Sequence, residues 1–183
     1  MVPARRFLWV ALFVGAAGLG GGEDLSRFQV SVGPRVGAEY YAQSVDAFSE
    51  LAQRAAGLPV GSFTPFISTF AIAVEQRIPL GSSGGALVVR EVIDLGGMEQ
   101  SVLLPSGRLS LGFRHRAGWE VGLGPVVGRL SLGVVMEAGY RFDLDGAGVP
   151  VTASVILPNR VAPMRIGISA GFDFALLGGR ASS

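Results

Sequence analysis

Residues 130–142 read Leu130-Ser-Leu-Gly-Val-Val-Met-Glu-Ala-Gly-Tyr-Arg-Phe142. The even positions, Leu130, Leu132, Val134, Met136, Ala138, Tyr140 and Phe142, are all apolar. The odd positions are Ser131, Gly133, Val135, Glu137, Gly139 and Arg141, and only Val135 departs from a small or polar face. A period of two is the period of a strand whose two faces meet different surroundings.

The same alternation recurs outward from this stretch. Ile166, Ile168, Ala170, Phe172 and Phe174 oppose Arg165, Gly167, Ser169, Gly171 and Asp173. Trp119, Val121 and Leu123 oppose Glu120, Gly122 and Gly124, while Leu109, Leu111 and Phe113 oppose Arg108, Ser110, Gly112 and Arg114. Upstream, Phe66, Phe70, Ile72 and Val74 oppose Thr69, Ala71, Ala73, Glu75 and Arg77, with Ser68 on the apolar side. Phe28, Val30, Val32 and Val36 oppose Gln29, Ser31, Gly33, Arg35 and Gly37. Residues 149–157 are apolar on the odd side. Residues 86–95 are apolar on both faces, with Arg90 beside Glu91, so periodicity leaves their facing open.

Eight strands are therefore expected, over 28–39, 64–78, 85–95, 107–115, 118–125, 129–142, 148–157 and 164–175. Turn-forming segments separate them at 79–85, 116–118, 143–148 and 158–163, with a longer loop over 96–107 and a turn over 125–128. One insertion changes period. Residues 44–57 (SVDAFSELAQRAAG) space Val45, Phe48, Leu51, Ala52 and Ala55 as a helix does, with Ser44 placed to cap it and Gly57 to end it. Such a helix could cap the barrel, lie on headgroups or meet a partner; local packing is its simplest role.

Composition bounds the function. The 183 residues contain 28 Gly and no Cys, 49% are hydrophobic and 16% charged, and all 15 basic residues are Arg. Mean hydropathy is +0.48. No disulfide framework, thiolate metal site or cysteine nucleophile is possible, and a net charge of +1 does not provide a nucleic-acid-binding face. The positive segment ending in Arg5-Arg6 precedes the uncharged run Phe7–Gly20, which is short for a spanning helix. It reads as a signal peptide over 1–22, cut before Glu23, with an uncleaved anchor as the alternative. Residues 23–183 form one barrel domain, with the helical insertion at 44–57 and a C-terminal tail at 176–183.

Eight antiparallel strands can close a small up-and-down barrel, and the direction of the apolar face sets its class. Gly33, Gly37, Gly112, Gly122, Gly124, Gly133, Gly139, Gly167 and Gly171 all lie on polar faces. Glycine there suits a narrow lumen that must leave room for long Arg and Glu side chains. With both termini at one end, Phe28, Phe113, Trp119, Tyr140, Phe142, Phe172 and Phe174 fall on one rim. Tyr40, Tyr41, Phe63 and Phe66 fall on the other. Two aromatic rims are the girdles of a membrane barrel, although rings can also plug barrel ends.

The inward polar network is then Arg35, Glu75, Arg77, Arg114, Glu120, Glu137, Arg141, Arg165 and Asp173. Glu137 and Arg141, like Asp173 and Arg165, lie on inward faces, and charges in so narrow a space should pair. The lumen reads as a salt-bridged plug, with a small gated pore as the alternative. His115 stands without a Ser/Asp partner motif, so no catalytic set, metal site or cofactor is expected.

Three stretches, Gly118-Trp-Glu-Val-Gly-Leu-Gly-Pro125, Val134-Val-Met-Glu-Ala-Gly-Tyr-Arg-Phe142 and Arg165-Ile-Gly-Ile-Ser-Ala-Gly-Phe-Asp-Phe174, make the chain resemble the porin-like outer-membrane β-barrel proteins of bacteria, in the small eight-stranded class. The resemblance spans most of residues 28–175. It implies an all-β transmembrane barrel with outer-membrane lipid around it and no enzymatic step. It also implies insertion by the barrel assembly machinery, which reads an aromatic at the end of the last strand; Phe174 takes that place here, with Ala175–Ser183 following. The function expected is structural, anchoring or adhesive. A soluble, lipocalin-like periplasmic barrel around an apolar ligand is the alternative, and a lipid-modifying outer-membrane enzyme a more distant one. Leu132, if at mid-depth in lipid, should resist replacement by Arg.

Overall fold

The computed structural model describes residues 29–56, 63–81, 84–128, 131–144, 147–158 and 162–177. The signal peptide, Phe28, Leu130, Gly57 and the end of the tail lie outside these residues. Nine strands follow in order: β1 (Gln29–Tyr41), β2 (Phe66–Leu80), β3 (Gly85–Gly96), β4 (Leu104–Arg114), β5 (Trp119–Gly128), β6 (Ser131–Leu144), β7 (Ala147–Ile156), β8 (Arg165–Gly171) and β9 (Asp173–Leu177). One helix, α1 (Val45–Ala56), sits between β1 and β2, and a short 3-10 turn, Met98–Gln100, sits between β3 and β4.

Each strand pairs antiparallel with its sequence neighbour from β1 to β8. β1 closes the sheet by pairing with β8 over Arg35–Tyr41 and with β9 over Val30–Val32. The result is a closed barrel of eight staves, so no edge is left to pair with another chain. β8 and β9 are two halves of one stave, where a single strand over 164–175 was expected. The break has a local cause: Pro34 of β1 carries no N–H to donate across the ladder. Its carbonyl instead accepts from the Phe172 amide at 3.2 Å, and the register shifts between Val30 and Ser31.

Other boundaries shift in the same way. β4 starts at Leu104, so the loop before it is shorter than 96–107 and Gly107 lies on the outer face of the strand. β5 runs through Pro125 to Gly128 without the expected turn, its pairing with β6 unbroken. β9 extends to Leu177. The hairpin at 116–118 turns on Gly118, whose φ of 96° favours glycine.

The apolar faces point outward. Leu132, Val134, Met136, Tyr140 and Phe142 of β6 are exposed, as are Val121 and Leu123 of β5 and Ile166 and Ile168 of β8. The face of β3 left open by periodicity is settled by burial. Ala86, Val88, Arg90, Val92 and Asp94 point in, and Ile93 and Leu95 point out.

The inward glycines serve a purpose different from the one expected. A Cβ on Gly33 would overlap the Phe172 carbonyl, one on Gly124 the Leu109 carbonyl and one on Gly171 the Pro34 carbonyl. These glycines let neighbouring backbones approach where the sheet coils tightly. Making room for a charged side chain is the clearer role at Gly148, where the Arg141 guanidinium occupies the space.

Candidate functional site

The barrel interior is where the chemistry collects. Glu75 of β2 accepts from Arg90 of β3 at 2.9 Å, from Arg114 of β4 at 2.5 Å and from Arg141 of β6 at 3.4 Å. Arg90 also reaches Glu120 at 2.6 Å and Glu137 at 3.4 Å. Arg114 reaches Glu120 as well, at 2.5 Å. From Arg141 the network continues to Asp173 at 2.8 Å and to the exposed Asp143 at 3.1 Å, and Asp173 pairs with Arg35. In the other direction Glu137 meets Arg108 at 3.5 Å, and Arg108 meets Asp94 at 3.0 Å. One connected ion-pair network thus runs from Arg35 to Asp94 through the inside of the barrel.

These bonds join different strands. Glu137 and Arg141 share β6, four residues apart, and a strand rises about 3.3 Å per residue, too far for contact. Asp173 and Arg165 are eight residues apart, and each finds its partner elsewhere. Arg165 donates to Glu39 at 2.9 Å and to the Tyr41 hydroxyl at 2.9 Å, with its guanidinium 5.2 Å from the Tyr41 ring centroid. Arg77 lies half-buried near the end of β2, and its Nε has no hydrogen-bond partner.

The structure adds Glu39, Arg90, Asp94 and Arg108 to this interior. Arg90 touches three carboxylates and was obscured in sequence because β3 is apolar on both faces. Among the described residues one small cavity, about 10 Å³, lies beside Arg90, Ser110, Glu120 and Glu137, room for a single water.

The end of the barrel away from the termini carries a lid. Phe48 and Leu51 of α1 pack on Tyr41, Phe63, Ile67 and Leu104, with Val102 against them. The Phe48 and Tyr41 rings lie 4.8 Å apart. The Ser44 hydroxyl accepts from the Ala47 amide at 3.3 Å, capping the helix start. The Phe63 amide donates to the Ser49 hydroxyl at 2.9 Å, tying helix to barrel. Tyr41 and Phe63, expected in the rim girdle, are therefore buried under the helix. The alternation Arg35, Gly37, Glu39, Tyr41 was the signal that Tyr41 points in.

Beside the lid, the 3-10 turn clamps the start of β2. The Thr64 amide donates to the Gln100 Oε1 at 2.8 Å, and the Gln100 Nε2 donates to the Phe66 carbonyl at 2.9 Å. The Ser68 amide donates to Glu99 at 3.1 Å, and the Ser68 hydroxyl donates to the same carboxylate. Burial alone would raise the Glu99 pKa, but these hydrogen bonds hold it below the ordinary carboxylate value.

At the opposite rim Trp119, Tyr140, Phe142, Phe172 and Phe174 are exposed, and Phe113 is partly so. Phe113 and Trp119 ring centroids are 5.8 Å apart, and those of Tyr140 and Phe142 4.7 Å. His115 stacks on Trp119 at 5.0 Å, with its Nδ1 accepting from the Ala117 amide at 3.2 Å. Tyr40 and Phe66 are exposed at the lid end.

No family model and no curated protein matches the chain. Among solved structures it is similar to Ail, the attachment invasion locus protein of Yersinia pestis. Identity is 10%, coverage is 80% of this chain and 97% of that chain, and the TM-score is 0.24. The architecture rests on the molecule's own strand pairing and facing: a closed antiparallel barrel of eight staves, apolar outside and charged within, the plan of the small outer-membrane β-barrels.

Proposed function

We propose that this chain is an integral barrel of the bacterial outer membrane with a structural, anchoring or adhesive role, its lumen closed by ion pairs. The observation that carries the reading is the outer wall. Ile72, Ile93, Leu123 and Ile168 are each 60% exposed or more, around the circumference of one barrel. A contiguous apolar surface of that extent belongs against lipid. Its surroundings in this reading are outer-membrane lipid, reached by way of a signal peptide and the barrel assembly machinery, and no catalytic step is assigned to it.

The interior favours a plug over a pore. Carboxylates and guanidiniums meet across the axis, and the lid covers one end with Phe48. An apolar ligand, as a soluble barrel would hold, has no place among Glu75, Arg90 and Arg114.

Membrane fractionation with heat-modifiable gel mobility tests the reading. The folded chain should require detergent for extraction and migrate faster before heating than after. Recovery of folded protein in the soluble periplasm without detergent would overturn it. In planar bilayers the intact chain should show no steady conductance, and an open, ion-selective current would replace the plug with a pore.

A further inference from the structure

We infer that the outer face of β2 and β3 is where two copies of this chain pair side by side in the membrane, Glu91 of each copy set against Gln76 of the other. The inference rests on the membrane reading above.

Arg90 and Val92 point inward and are buried, so the alternation turns Glu91 outward. Glu75 is likewise buried inside, which turns Gln76 out. The register pairs Gln76 with Val89 and Val74 with Glu91, making Gln76 and Glu91 diagonal neighbours on one face, about 7–8 Å apart at Cα. Glu91 lies midway along Gly85–Gly96, at the middle of the wall.

Among the described residues the rest of that wall is apolar, apart from Ser68 at the lid end, which is bonded to Glu99. Neither Glu91 nor Gln76 has a hydrogen-bond or ion-pair partner among the described residues. Lipid chains supply no donor, so a carboxyl held there needs a polar group from another molecule.

A second copy fits the need. One side chain of the pair accepts and the other both donates and accepts. A two-fold axis between them satisfies both at once, in an isologous contact that leaves nothing unpaired. The ladder neighbours of the pair are valines: Val30 and Val89 beside Gln76, and Val74 beside Glu91, itself paired with Val32. These short side chains let the two walls approach closely, where the wall elsewhere carries Phe70, Ile72 and Ile93.

The chain has no cysteine, so single-cysteine variants report the contact directly. Val89→Cys places a thiol beside the proposed axis, and Ala138→Cys places one on the outer face of β6, across the barrel. In membranes at low protein density, oxidation should give a disulfide-linked dimer from Val89→Cys and little from Ala138→Cys. Adding Glu91→Leu to Val89→Cys should lower dimer yield about tenfold, the effect of one lost contact of about 1.4 kcal/mol, and Glu91→Gln should largely restore it. Heat-modifiable mobility confirms that each variant is a folded barrel. Equal cross-linking of the two cysteines, no cross-link at Val89→Cys, or a cross-link to a different protein would each overturn the inference. Folded protein in the soluble fraction would instead remove the membrane reading beneath it.

Discussion

The two faces of this sheet are built from the same strands and obey different rules. Outside, Val121, Leu123, Met136 and Ile168 each meet their surroundings with little dependence on one another. Inside, Glu75 is held by Arg90, Arg114 and Arg141, and Arg90 in turn by Glu120 and Glu137. A change outside should be read by its depth alone, whereas a change inside spreads through its partners.

The largest effect should come from the inner face. Glu75→Ala removes the carboxylate shared by three arginines and leaves buried positive charge uncompensated. Breaking a buried pair by deleting one partner costs about 3–5 kcal/mol. Urea unfolding from bilayers should show that loss. The double variant Glu75→Ala with Arg90→Met should cost less than the sum of the single changes. Strict additivity would break the contrast between a coupled interior and an independent exterior.

On the outer face, Met136→Arg should cost about 2–4 kcal/mol for a cation at mid-depth, and Leu132→Arg only about 0–1 kcal/mol near the interface. Leu132 is the second residue of β6, near the lid-end rim, so the mid-depth position considered from sequence belongs instead to Met136. Equal costs for the two would show that depth is not what the outer wall senses.

A smaller effect belongs to the seam between the faces. Gly124→Ala places a methyl against the Leu109 backbone carbonyl. Crowding of that kind costs about 1–3 kcal/mol. Gly107→Ala, on the outer face of β4 with its nearest listed neighbour 4.0 Å from the added Cβ, should change bilayer unfolding far less. A comparable loss at both positions would mean that strand propensity, not backbone approach, selects glycine here.

How much of this was legible follows from the same contrast. The outer face was written plainly in residues 130–142, because lipid-facing positions need only be apolar and alternate. The inner partners were not, since Arg90 meets Glu75, Glu120 and Glu137 only once the register of four strands is fixed. β3 concealed Arg90 further, because Val88 and Val92 make its inner face apolar on either side of the charge. The lid was half legible. The helix over 44–57 stood out by its period, but its burial of Tyr41 and Phe63 depends on the way the chain folds back over the barrel mouth.

The smallest effect separates barrel from lid. Glu99 lies outside the barrel wall, held by the Ser68 amide and hydroxyl, and its pKa in the folded chain is below the ordinary value. The unfolded chain therefore takes up the proton more readily. The stabilisation is fully present above the unfolded carboxylate value of about 4.3 and is lost as pH falls through the lower folded value. Hydrogen exchange at the Ser68 amide, corrected for intrinsic rate, should speed up on acidification below about pH 4, the ordinary carboxylate range. Glu99→Gln should remove that pH dependence and leave the barrel's own exchange unchanged. If the dependence survives the substitution, a group in the barrel interior governs the mouth, and the lid and barrel are coupled rather than separable.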